Sequence, residues 1–110
     1  MIIDKDGNVT IITQEKKSII ELIKKIDNDY NKFQHDNLVI NLSALDQVSF
    51  QDILEFLEIS NRHRSKKLSF VIVCDKVNLT EMPNELLVVP TLHEANDIIE
   101  MEEIERDLGF

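Results

Sequence analysis

Two short runs limit what this chain can fold into. Leu38, Val39, Ile40 and Leu42 form one, and Leu68 followed by Phe70, Val71, Ile72 and Val73 forms the other. A strand with one face in water alternates polar and apolar residues, so near-continuous apolar runs mark strands covered on both faces, as in the parallel part of an α/β sheet. The pattern predicts a mixed sheet with strands near residues 38–43 and 68–73 at its centre. After the first run comes LSALDQVSFQDILEFL, whose Ser49 and Asp52 have capping-box spacing. The hydroxyl accepts the amide of the first helical turn and the carboxylate reaches back to the Ser49 amide, which is worth about 1 kcal/mol. A strand feeding a helix N-terminus aims backbone amides outward at the C-terminal edge of a sheet, where α/β domains place their working surfaces. Function is therefore sought first at Asp46, Gln47, Ser49, Phe50, Gln51 and Asp52.

The rest of the chain supplies the other layers. Ile2 and Ile3 precede Asp6-Gly7, a type I′ turn signal, and Val9, Ile11 and Ile12 follow, which predicts an N-terminal hairpin. Asp4, Asp6, Asn8 and Glu15 imitate the ligands of a calcium loop, but Val9 stands where that loop needs glycine. From about Thr13 to Phe33 the apolar period becomes 3.6: Ile19, Leu22, Ile23, Ile26, Tyr30 and Phe33 share a side, with Glu15, Lys16, Lys17, Lys24, Lys25 and Asp29 mostly opposite. The Ser49 helix is expected to run from 49 to 63. Its basic end, Arg62, Arg64, Lys66 and Lys67, complements the negative end of a helix dipole. Leu86 to Val89 reads as a short last strand, and Thr91 with Glu94 caps a final helix over 91–106.

Composition narrows the function. With 43% hydrophobic and 30% charged residues in 110, the chain is a folded single domain. One cysteine allows no internal disulfide, so a reducing, cytoplasmic setting is expected; Cys74 itself reads as a core or edge residue. No run approaches the ~20 apolar residues of a membrane span, so no membrane contact is expected. A net charge of -9 opposes binding to a nucleic-acid backbone. His35, His63 and His93 lack metal-ligand spacing, both glycines lie outside any phosphate-cradling loop, and no acid pair stands out. No enzyme activity, metal or cofactor is expected.

The order hairpin, helix, strand, helix, strand, turn, strand, helix resembles the STAS domain, the fold of bacterial anti-anti-sigma factors and of regulatory modules in sulphate transporters and stressosomes. The likeness runs from Val9 to Ile99 and rests on LVINLSALDQVSF, on LSFVIV, and on LLVVP leading into TLHEANDII. It implies an α/β, STAS-like single domain with a mixed central sheet, an N-terminal hairpin and packed α-helices. In phosphorylated members the signature helix opens with Asp-Ser-Ser or Asp-Ser-Thr and a glycine, and the second hydroxyl accepts phosphate. That pattern lays Ser49 on the aspartate, Phe50 and Gln51 on the hydroxyls and Asp52 on the glycine, so the usual acceptor is missing; Ser49 is the remaining candidate for phosphorylation. The resemblance thus implies a non-enzymatic regulatory module acting by protein contact. A small-ligand or nucleotide sensor of STAS type is the alternative.

The tail TLHEANDIIEMEEIERDLGF also resembles that of short STAS-like bacterial proteins sometimes carried under the name of ribonuclease Z. That enzyme needs a His-x-His-x-Asp-His metal cluster absent here, so the likeness implies at most an accessory link to tRNA processing. Leu92, Ala95, Ile98 and Ile99 share one helical face, whereas Met101, Ile104 and Leu108 point roughly half a turn away. Residues 1–100 are therefore expected to form the domain and 101–110 an acidic amphipathic tail. Either the tail bends near Glu100 and wraps its own domain, or the helix runs on and offers Met101, Ile104, Leu108 and Phe110 to a protein partner or a second copy.

Overall fold

The computed structural model describes residues 1–16 and 18–109. Strands β1 (Ile2–Asp6), β2 (Val9–Thr13), β3 (Asn37–Asn41), β4 (Phe70–Val73) and β5 (Leu87–Val89) form one sheet in the order β1-β2-β3-β4-β5. The β1–β2 pair is antiparallel and every other pair is parallel, so the sheet is mixed as expected. The two apolar runs lie inside it: every residue of β3 and of β4 is buried. Val39 sits opposite Ile11 on one side and Val71 on the other. Helices α1 (Ile19–Asn28), α2 (Phe50–Leu54), α3 (Leu57–Arg64) and α4 (Leu92–Asp107) complete the layers, with short 3-10 turns at Tyr30–Lys32 and Leu79–Glu81.

Alternate side chains of the sheet feed two cores. On one face Ile12, Leu38, Ile40, Phe70 and Ile72 meet Leu22 and Ile26 of α1 and Ile53, Phe56 and Ile59 of the α2–α3 segment. On the other face Val39, Val71, Val73 and Val89 meet Ala95 and Ile99 of α4. The first core holds the larger side chains. Cutting fully buried Phe56 to alanine would cost about 3–5 kcal/mol.

Four local readings are corrected. The hairpin turn holds two residues, Gly7 and Asn8, between paired Asp6 and Val9. Gly7 has φ +61° while Asn8 is not in the positive-φ region, so the turn has the type II′ pattern and not type I′. Helix α1 begins at Ile19, not near residue 14, because Ser18 Oγ accepts the Glu21 amide at 3.2 Å. Gln14 instead extends the β2–β3 pairing past Thr13, donating its amide to Asn41 O at 3.1 Å. The Lys17 placement lies outside the described residues. Helix α1 also stops at Asn28, short of Phe33, and Tyr30–Lys32 turns tightly to bring Tyr30 and Phe33 against the core. Finally, the helix expected over 49–63 is two, broken at Glu55–Phe56. There Phe56 turns fully inward and its amide bonds Ile53 O, three residues back. Lys67, φ 63°, ends the segment in the left-handed conformation usual just past a helix.

Candidate protein-contact surface

The loop after β3 is built from its buried ends outward. Asn41 Oδ1 accepts the Ser43 amide at 3.1 Å and the Ser43 hydroxyl at 2.7 Å, a side-chain turn that lifts the chain off the sheet. Leu42 donates its amide to Val73 O at 2.9 Å. Leu45 and Val48 then plug into the core, leaving Asp46 and Gln47 exposed between them. Ser49 closes the loop with both capping-box bonds in place: Asp52 N donates to Ser49 Oγ at 3.1 Å and Ser49 N donates to Asp52 Oδ2 at 2.9 Å. Two apolar plugs and a reciprocal cap fix this short backbone from both ends. They present Asp46, Gln47, Phe50 and Gln51 to solvent, and Phe50 is 37% exposed although it opens α2. Beside them lies an open cleft of about 310 Å³ lined by Glu15, Ala44, Leu45, Asp46 and Gln47.

The second group of candidate residues lies elsewhere. Helix α4 is unbroken from Leu92 to Asp107, so the bend expected near Glu100 does not occur. Nor does the helix leave the body. Glu102 pairs with Arg64 at 2.9 Å, Glu103 accepts the Asn37 and Asn8 amides at 2.8 and 3.0 Å, and Arg106 reaches Ser69 Oγ at 3.3 Å. The face toward the sheet changes from apolar to polar at the end of Ile99. Met101, Ile104 and Leu108 consequently point straight away from the body, each more than half exposed. Phe110 lies outside the described residues. The loop and this stripe are thus two separate surfaces.

Sequence reasoning missed a polar network beneath the N-terminal ends of the parallel strands. His63 is fully buried; its Nδ1 pairs with the Tyr30 hydroxyl at 2.6 Å and its Nε2 with Asp36 O at 2.7 Å. A backbone carbonyl only accepts, so Nε2 carries the proton and Nδ1 accepts from Tyr30. Burial holds the imidazole below its usual pKa, more than the Asp36 carbonyl bond raises it. Asp36 also takes the Thr10 hydroxyl at 2.9 Å and Lys5 at 3.1 Å. Asn37, almost fully buried, accepts the Ser69 amide at 2.8 Å while donating to Glu103. Burial pushes the Glu102 carboxyl up, but its bonds to Arg64 and Ser69 and the charges of Arg64 and Arg106 together bring it below the usual range. The one signal in the sequence was the run Arg62 to Lys67. Three of its four cations are in use: Arg62 pairs with Asp27 and lies over the Tyr30 ring, Arg64 holds Glu102, and Lys66 lies over Tyr30.

Among the described residues no three of His, Cys, Asp and Glu group as a metal site would require. Cys74 is fully buried, and burial raises its thiol pKa, which makes it a core residue. Described residues include no helix long and apolar enough to cross a membrane.

No family model and no curated protein matches the sequence. Solved structures do match. A chain from the stressosome, described as a signal integration and transduction hub, superimposes with a TM-score of 0.60 at 20% identity, over 91% of this chain and 96% of that one. A serine-to-glutamate variant of RsbS from Moorella thermoacetica superimposes with a TM-score of 0.63 at 19% identity, over 91% and 94% of the two chains. The fold is STAS-like. Gln51, which the sequence resemblance lays on the family's second hydroxyl, is exposed.

Proposed function

We propose that this protein is a non-enzymatic STAS-like regulatory module that works by protein contact. Asp46, Gln47, Phe50 and Gln51 form the contact surface on the loop and α2, and Met101, Ile104 and Leu108 of α4 form a second one. The observation that carries this reading is the loop's construction. Leu45 and Val48 are spent as anchors and the Ser49–Asp52 cap is complete, while an aromatic ring and three polar side chains face outward on a fixed backbone. A preorganised surface of this kind gives up little conformational entropy on binding. Ser49 serves as the cap, and Gln51 in place of a hydroxyl removes the family's usual phosphate switch. The likeness to a stressosome component supports a role in an assembly of proteins.

The test is site-specific photocrosslinking in the native cell, with a photoreactive residue at Phe50 or, as a control, at exposed His93. A discrete protein adduct from position 50 and none from His93 is the expected result. The cleft beside Asp46 supports a second reading, a small-ligand site. That reading prevails if position 50 yields no protein adduct while a metabolite screen shifts the melting temperature.

A further inference from the structure

The sheet has five strands, yet one of its faces carries a single helix. Five strands at ~4.8 Å spacing span ~19 Å, and a helix with its side chains covers ~10 Å. Helix α4 packs mainly on β3, β4 and β5, and although Asn8 in the hairpin turn bonds Glu103, β1 stays exposed along its whole length and β2 is only half-buried on that side. Directly opposed residues of an antiparallel pair share a face. Ile2 with Thr13, Asp4 with Ile11 and Asp6 with Val9 therefore pave this strip. Val9 and Ile11 are half-buried at the margin of the valine core, and Ile2 is 44% exposed. Between this floor and the flank of α4 runs an open cleft of about 260 Å³, bordered by Asp6, Val9, Ile99, Glu100 and Glu103.

We infer that this strip is the docking site for an amphipathic helix of a partner protein, with lysine or arginine beside its apolar stripe, lying next to α4. Charge selects the occupant. Asp4, Asp6 and Glu100 have no ion-pair partner among the described residues, and Glu103 is the fourth acid of the rim. The hairpin's one lysine, Lys5, points to the opposite face and holds Asp36. A second copy of this chain is a poor occupant. Its own strip would bring the same acids against these, and its α4 stripe is flanked by Glu94, Asp97, Glu100 and Glu105. Size fits a short helix: strands of five residues run ~17 Å, the length of about eleven helical residues. This surface is distinct from the loop at Asp46–Asp52, so either can fail without the other.

The probe is a synthetic 16-residue helical peptide with leucines at i, i+3, i+4 and i+7 spacing and lysines elsewhere, with its lysine-to-glutamate counterpart as control. Titration into the full ¹⁵N-labelled protein should move the amides of Ile2, Asp4, Val9, Ile11 and Glu100. The acidic peptide should not bind. The double variant Asp4→Lys/Asp6→Lys changes only exposed side chains and should raise Kd at least tenfold; raising salt from 50 to 300 mM should weaken binding as well. Shifts confined to Asp46–Gln51 or to Met101, Ile104 and Leu108, equal binding of the acidic peptide, absence of binding, or a Kd indifferent to the charge reversal would overturn the inference.

Discussion

Replacing Ser49 by alanine tests the loop at its smallest part. The substitution removes the acceptor of the 3.1 Å bond from Asp52 N but leaves the 2.9 Å bond from Ser49 N to Asp52 Oδ2. Caps of this kind are worth about 0.5–2 kcal/mol. Ser49 is exposed, so water can reach the abandoned amide, which places the expected loss near the lower end at about 0.5–1 kcal/mol. For a domain of this size that is a fall in Tm of roughly 2–6 °C. Ser49→Gly should cost only a few tenths of a kcal/mol, because glycine is itself a tolerated cap. The two halves of the box share one turn, so Ser49→Ala and Asp52→Ala should be non-additive by about 0.5 kcal/mol in urea-unfolding free energies. A Ser49→Ala variant as stable as the wild type, or strict additivity in the double variant, would refute the claim that the cap holds the loop. Substantial phosphate on Ser49 in protein from its native cell would show that the hydroxyl has a second use.

Three further outcomes are expected. His63 is held neutral in the fold, so above about pH 6.5 it contributes nothing to the pH dependence; as pH falls below that value the unfolded chain takes up a proton that the native protein resists. Stability should therefore decline on acidification from about 6.5 by at most ~1.4 kcal/mol per pH unit, and His63→Gln should remove that slope in unfolding curves. Ser60 Oγ is buried with no hydrogen-bond partner, so Ser60→Ala should be neutral or stabilising by up to about 1 kcal/mol in urea unfolding. Converting Met101, Ile104 and Leu108 to serine should change stability by less than about 0.5 kcal/mol each, whereas deleting residues 101–110 should lower Tm clearly, because Glu102, Glu103 and Arg106 are bonded to Arg64, Asn37 and Ser69.

The sheet and its helices were legible because burial writes itself into hydrophobic spacing. Strands β3 and β4 show no alternation because both their faces are covered. The Ser49 cap was legible for a different reason: its two partners are three residues apart, and local bonds leave local signatures. What escaped were bonds between residues distant in sequence. Nothing near His63 announces that Tyr30 and the Asp36 carbonyl will meet it, and nothing near Asn37 announces Glu103. The break at Phe56 was hidden by the apolar period of the segment, which an unbroken helix would satisfy equally well. The tail's exposed stripe follows from its helical phase, but its contact with the body does not, because a helix face against the domain need not be apolar. Beyond Ile99 the sheet side offers Asn37 and Ser69, and the helix answers with Glu103 and Arg106.

The claim that the loop is a contact surface rests on side chains whose loss the fold should tolerate. The most direct measurement isolates the complex captured through position 50 and compares wild-type protein with Asp46→Lys and Phe50→Ala by titration calorimetry, with a melting curve for each variant. The account predicts that both variants lose at least tenfold in affinity while Tm stays within about 2 °C of wild type for exposed Asp46→Lys and falls by no more than roughly 6 °C for Phe50→Ala, whose ring is partly covered. Full affinity in both variants, with the fold equally intact, would contradict it.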